Sequence, residues 1–227
     1  MRKLVLWGHS AEDYREMFDL TQEDLQSKIL EFGCGPSAVN SQQKTKNQEV
    51  ISCDPLFVLD KDTLSSKALM IFAEMAAEIK AEERFFDFSR TEGLDNLLVS
   101  RKQGMAKFFA DYTQGKKEGR YVGLSDSQLP FADFTFDLAL CSHYLFADLD
   151  EQNVEFHLQM IRELARVAKE VRIFPLIDRE EKTSECLGPV LLGLQHDNYG
   201  VEVREVPFHL HQSGNAMLRV WAQQCVL

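Results

Sequence analysis

Five short apolar runs recur along the chain, at residues 28–32 (KILEF), 49–53 (EVISC), 120–124 (RYVGL), 136–141 (FDLALC) and 171–176 (VRIFPL), with helical patterns between them. Their apolarity is continuous rather than alternating, which suits strands buried on both faces and therefore a parallel sheet covered by helices. After the fifth run comes a helical stretch at about 184–198, closed by Asn198, Tyr199 and Gly200. Two further strand-like segments, 201–208 and 215–222, are joined by the polar HLHQSG and read as a β-hairpin at the sheet edge. The expected fold is an α/β three-layer sandwich, a mostly parallel seven-stranded sheet ending in an antiparallel hairpin.

The chain between the second and third runs is much longer than a βαβ unit of roughly 30 residues requires. Leu64, Ala68, Phe72, Met75 and Ile79 form one amphipathic stripe, and Leu94, Leu97, Leu98, Met105, Phe108 and Tyr112 form another. The spacing predicts a two-helix insertion over 58–118 within a single domain spanning 1–227. A further helix is expected over 154–168, with Asp148 or Asp150 as its cap.

With 25 Lys and Arg against 36 Asp and Glu, the net charge is −11, so the surface lacks the basic footprint of nucleic-acid binders. A small-molecule partner is expected, and no nucleic acid. The N-terminus turns polar by His9, too early for a signal peptide, and no apolar run reaches membrane-spanning length. A cytoplasmic protein without membrane attachment is expected. Five dispersed cysteines with no CxxC argue against a disulfide framework or a zinc knuckle.

In open parallel sheets ligands bind at the carboxyl ends of the strands, and the first strand-to-helix turn is the usual place. Here that turn holds Gly33 and Gly35, where glycine permits positive φ and close approach of a ligand. Asp54 follows the second strand, at the position from which a carboxylate reaches a ribose diol. Read as GxGxxA over Gly33, Gly35 and Ala38, the turn could cradle a pyrophosphate, as in a nicotinamide or flavin oxidoreductase. Glu31 would then set a negative charge beside the phosphates, so a cofactor with a cationic end suits the turn better.

ILEFGCG, ISCDP and LSDSQLPFADFTFDLALCSHYLF, in this order over residues 28–146, resemble the motifs of the class I S-adenosylmethionine-dependent methyltransferases. The resemblance implies methyl transfer from S-adenosylmethionine and a Rossmann-like sheet that ends in an antiparallel hairpin. By position it implies that residues 31–35, with Glu31, Gly33, Cys34 and Gly35, line the methionine portion. Asp54 would bind ribose, Leu56 or Phe57 would pack on adenine, and Asp126 with the Ser127 backbone would meet the adenine edge. Cys141, Ser142 and His143 would end the fourth strand beside the methyl group. The sequence departs from the family at Ser37, where many members have a third glycine, and at Pro36, which stiffens the turn.

His143 is the candidate general base, should the acceptor have a proton to lose, with Tyr144 as the alternative. Tyr14 or Arg15, on a predicted helix before the first strand, could reach the cofactor carboxylate. The insertion would serve as a lid or substrate wall. His209 and His211 share a strand face but find no third ligand, so no metal is expected. Besides the oxidoreductase, a non-catalytic protein that kept the fold and the binding site stays open. The acceptor and the oligomeric state are written in no motif.

Overall fold

The computed structural model describes residues 7–46, 48–124, 128–146, 153–178, 180, 182–211 and 214–222. Its elements run α1 (Ala11–Met17), β1 (Ile29–Phe32), α2 (Val39–Lys44), β2 (Val50–Asp54), α3 (Lys61–Ala81), α4 (Leu94–Lys117), β3 (Tyr121–Gly123), β4 (Phe136–Ser142), α5 (Val154–Val167), β5 (Ala168–Phe174), α6 (Leu187–His196), β6 (Tyr199–Glu205) and β7 (Ala216–Ala222). The seven strands form one sheet in the order β3-β2-β1-β4-β5-β7-β6. β1 pairs in parallel with β2 and β4, whereas β7 runs antiparallel to both β5 and β6. All seven expected strands and the closing antiparallel pair are thus present, with some ends shifted by a few residues.

The continuous apolar runs are explained by what covers each face. Leu30, Phe32, Ala139, Cys141, Val171 and Ile173 point to one side and pack on α5 and α6 through Ile161, Leu164, Val190 and Leu194. Their neighbours Ile29, Leu138 and Leu140 point to the other side and meet Tyr14, Met17 and Phe18 from α1 and its end, and Val39 of α2. Alternate side chains therefore enter two cores, and neither face reads as polar.

Several boundaries differ from expectation: β6 runs Tyr199–Glu205 where 201–208 is expected, so Tyr199 and Gly200 open a strand instead of only closing the helix. α5 is capped by Asn153, whose side chain accepts the Phe156 N–H at 2.9 Å; Asp148 and Asp150 lie outside the described residues. β5 begins at Ala168, directly after the helix, because its charged first residues find partners: Lys169 on Asp137, and Glu170 on Arg172 and Arg219. Charged strand residues of this kind are invisible to a search for apolar runs.

The insertion carries α3 and α4. Trp7 packs among Ala68, Phe72 and Ile79 of α3 and Leu94, Leu97 and Met105 of α4. Among the described residues no helix is long and apolar enough to cross a membrane.

Candidate cofactor site at the ends of β1, β2 and β4

β1 ends in a turn with Gly33 at φ +64° and Gly35 at φ +55°, conformations that favour glycine. The turn is tied down from two sides. Gly33 donates its N–H to Cys53 O at 2.9 Å, and Gly35 donates to Asp54 Oδ2 at 2.8 Å. The other Asp54 oxygen accepts the Leu56 N–H at 2.7 Å, which caps the short 3-10 turn Pro55–Val58. Burial pushes the Asp54 pKa up to about 6, opposed by these two N–H donors and reinforced by the Glu31 charge.

Glu31 is buried to 1% exposure. Its Oε2 accepts from Ser52 Oγ at 2.6 Å, and Ser52 Oγ accepts from Asn40 Nδ2 at 3.0 Å. Asn40 also donates to Val50 O and Arg120 O, so the chain from Arg120 to Glu31 fixes the carboxylate in place. The second oxygen, Oε1, has no hydrogen-bond partner among the described residues, and neither has the buried Tyr14 hydroxyl. Burial raises the Glu31 pKa, against the hydroxyls around it, and burial with the nearby Glu31 charge raises that of Tyr14. A buried carboxylate oxygen that accepts no hydrogen bond among the described residues, next to a glycine turn, suits an ammonium. Asp54 suits a diol. The donor set therefore fits S-adenosylmethionine.

Cys141 and Ser142 end β4 beside Phe32, and Ser142 Oγ lies 2.8 Å from His143 Nδ1. His143 takes φ +56°, and its ring lies between His9, stacked at 4.9 Å, and Phe174 at 5.7 Å. Burial, then the Arg101 charge, lowers the His143 pKa to about 3, with Asp13 opposing. An imidazole so reluctant to take a proton is ill suited to act as a general base near neutral pH. Cys34 and Cys141 are likewise buried thiols pushed up by burial, Cys141 to about 12.

The low His143 value has a consequence for stability. A group whose folded pKa lies below its unfolded value binds fewer protons when folded, so its contribution is complete above about 6.5 and is lost as pH falls through the window below. At pH 5, roughly 1.5 units into that window, His143 costs about 2 kcal/mol. Asparagine tolerates positive φ and does not titrate. His143→Asn is therefore expected to lose about 2 kcal/mol less than the wild type between pH 7.5 and pH 5 in urea unfolding. Equal losses would return the acid sensitivity to other groups.

Other expected site residues separate. Tyr14 stands beside Glu31, whereas Arg15 lies on the outer face of α1 near Glu12, at 3.8 Å. Phe57 is not available to stack on a base: it is wholly buried against Phe108, Tyr112 and Tyr121, with ring centroids 5.5 to 5.6 Å away. Leu56 is half-buried and remains the adenine-side candidate. Asp126 and Ser127 lie outside the described residues. His209 pairs with Asp87 at 2.8 Å, away from this turn.

The sequence gives no periodic signal for the segment that covers the site. Residues 7–10 run as a strap between α4 and α2: the His9 carbonyl accepts the Ala38 N–H at 2.8 Å, and Gly8 lies directly on the α4 backbone. A Cβ on Gly8 would sit 2.1 Å from the Arg101 carbonyl oxygen, and one on Gly104 would sit 1.9 Å from the Gly8 oxygen. Arg101 of α4, buried to 2%, forms an ion pair with Asp13 of α1 and lies over the Trp7 ring at 5.6 Å. Tyr144 covers the remaining side, against Gly33. All of residues 31–40 are consequently buried. His9, Asn40, Ser52 and Arg101 thus join the site without having been expected there.

No family model matches the chain. Over 219 residues, 96% of each protein, it is 24% identical to uncharacterized protein MJ0045 of Methanocaldococcus jannaschii. Among solved structures it is similar to WbdD, co-crystallised with a kinase inhibitor, at 13% identity over 96% of this chain and 41% of that one, with a TM-score of 0.50. A putative S-adenosylmethionine-dependent methyltransferase from Methanococcus maripaludis aligns at 13% identity over 96% of this chain and 85% of that one, with a TM-score of 0.48. The chain spans less than half the length of the WbdD chain, and the likeness speaks to fold alone. Strand order, closing hairpin and glycine turn together give the chain the Rossmann-like fold expected of a class I methyltransferase.

Proposed function

We propose that the protein binds S-adenosylmethionine across the ends of β1, β2 and β4 and transfers its methyl group to a small-molecule acceptor. The observation that carries this is Glu31, a wholly buried carboxylate with one oxygen unpartnered at the mouth of the glycine turn. Glu31 would hold the ammonium, Asp54 the ribose diol, and Leu56 one side of the adenine. Tyr14 is near enough to Glu31 to close the methionine end. The cofactor supplies a methyl group already activated on a sulfonium, so the chain's task is to align an acceptor and keep water away. The insertion, with α4 against the strap, forms the wall on which that acceptor would be selected. A net charge of −11 favours a small acceptor over a nucleic acid.

Calorimetry of the purified protein with S-adenosylmethionine tests the first half, and no heat of binding at millimolar ligand would sink it. Formation of S-adenosylhomocysteine with a pool of small metabolites tests the second. The complete burial of the glycine turn favours one other reading, a non-catalytic chain that kept the fold; it predicts no S-adenosylhomocysteine from any acceptor.

A further inference from the structure

The sheet has two edges, and they are protected differently. β3 is three residues long, too short to template another strand. β6 is seven residues long and pairs with β7 residue for residue, with no bulge, proline or lysine to turn its outer side away from another strand. Among the described residues no strand lies beyond it. Val203 in this strand is 47% exposed.

The ladder with β7 fixes which backbone groups are left over. Just past the strand, Val206 donates its N–H to Asn215 O at 2.8 Å, and in the register of the pair Val206 stands opposite Asn215. Hydrogen-bonded and non-bonded pairs alternate along an antiparallel ladder. Glu202 and Arg204 therefore bond to β7, while Val201, Val203 and Glu205 turn their N–H and C=O groups outward. A further strand must meet these three residues with outward groups of its own.

A second copy of β6 does so when it runs antiparallel about a two-fold axis at Val203. Val203 then pairs with its own copy, and Val201 with Glu205 of the second chain. Pro207, which has no N–H, falls opposite Tyr199 and ends the ladder. Between the bonded pairs Glu202 faces Arg204 of the second chain, and Arg204 faces Glu202. Charge selects this register. A slip of two residues, the smallest that keeps outward groups facing each other, sets Glu202 against Glu202 or Arg204 against Arg204.

The crossing also continues a row of alternating charge already on this face. Glu170 meets Arg219 at 2.9 Å, and Arg219 meets Glu202 at 2.7 Å. Arg204 meets Glu202 of its own chain at 3.3 Å, and both side chains stay partly exposed, with donors and lone pairs to spare. On the opposite face Val203 follows Val201, which packs on the core under α5 and α6, so the pairing covers an apolar side chain that the single chain leaves open.

We propose that the protein forms a two-fold dimer through β6, its sheet continuing into that of a second copy. The dimer is independent of the function proposed above. One strand pair with its flanks lies at the small end of interfaces, below about 1,200 Å², so dissociation in the micromolar range is expected.

Sedimentation velocity of the full chain, over a concentration series that reaches millimolar, tests it. The wild type is expected to pass from monomer to dimer. Val203→Pro removes an outward N–H and no bond to β7, so it should leave thermal unfolding nearly unchanged and weaken the dimer at least tenfold. Glu202→Arg and Arg204→Glu each set like charges across the axis and should be monomeric alone. Mixed in equal amounts they should form a heterodimer, because each Arg of the first chain then faces a Glu of the second. A wild type that stays monomeric at millimolar concentration overturns the proposal. A dimer that Val203→Pro leaves intact also overturns it, since that dimer uses another face. Single charge variants that dimerise as the wild type does, or a mixture that stays monomeric, overturn the register and the interface built on it.

Discussion

Gly104→Ala is expected to destabilise the protein by about 3 kcal/mol, although the same change in an ordinary helix interior stabilises by about 1 kcal/mol. Gly104 lies within α4, Leu94–Lys117, where its backbone freedom is a cost rather than a use. What it provides is proximity. The added Cβ would stand 1.9 Å from the Gly8 oxygen and 2.6 Å from its carbonyl carbon, both backbone atoms that no rotamer change can move aside.

Overpacking of this kind typically costs 1–3 kcal/mol, roughly, before any element undocks. Here the strap would leave α4 altogether. Trp7, buried to 5%, would lose its cover from Phe72 and Met105, at about 2 kcal/mol for a large apolar side chain. In a chain of this size each kcal/mol moves Tm by about 2–4 °C, so a fall of about 6–12 °C is expected. Trp7 emission should shift to the red as the indole meets water. Gly188 supplies the control: it lies in α6 with nothing within 4 Å of its Cβ position, so Gly188→Ala should raise stability by up to about 1 kcal/mol. Should Gly104→Ala also stabilise, the strap does not rest on α4 in solution.

The contrast between these two glycines shows which parts of the molecule were legible in the sequence. β1, β2 and β4 were readable because they lie inside the sheet, where both faces are covered and every side chain is free to be apolar. The two helices of the insertion were readable for the same reason, as stripes with a helical period. The strap was not, because Trp7, Gly8 and His9 are too few to show any period, and what holds them is a backbone contact with a distant helix. A glycine in the middle of an amphipathic helix was the one visible trace of it. Phe57 shows a different limit. Motif position places an apolar residue just after Asp54, but in a 3-10 turn neighbouring side chains point in different directions. Leu56 is half-buried, while Phe57 turns inward to join Phe108, Tyr112 and Tyr121. His143 marks a third limit: its place at a strand end was legible, whereas its lowered pKa comes from burial first and then from Arg101, both of which only the fold supplies.

Glu31→Gln should make the free protein more stable and the cofactor bind worse, and these opposite signs separate a binding residue from a structural one. In the free chain Glu31 carries a buried charge held by Ser52 Oγ on one oxygen, and burial already works against its ionisation. Glutamine has nearly the same shape. Its carbonyl oxygen can keep the bond from Ser52 Oγ, and its amide can donate to the Tyr14 hydroxyl oxygen, which has no partner among the described residues. Removing an uncompensated buried charge is worth about 1–2 kcal/mol even after relaxation. In the complex the balance reverses. An ammonium that met a carboxylate oxygen would now face an amide N–H, and removing one partner of a buried ion pair costs about 3 kcal/mol or more. Affinity for S-adenosylmethionine should therefore fall by roughly 150-fold or more. Ser52→Ala provides a cross-check: it keeps the charge but frees the carboxylate to rotate, so affinity should fall less while stability falls rather than rises. If Glu31→Gln binds S-adenosylmethionine as the wild type does, the ammonium lies elsewhere. If it instead unfolds more easily, Glu31 belongs to the scaffold of the turn and not to its ligand.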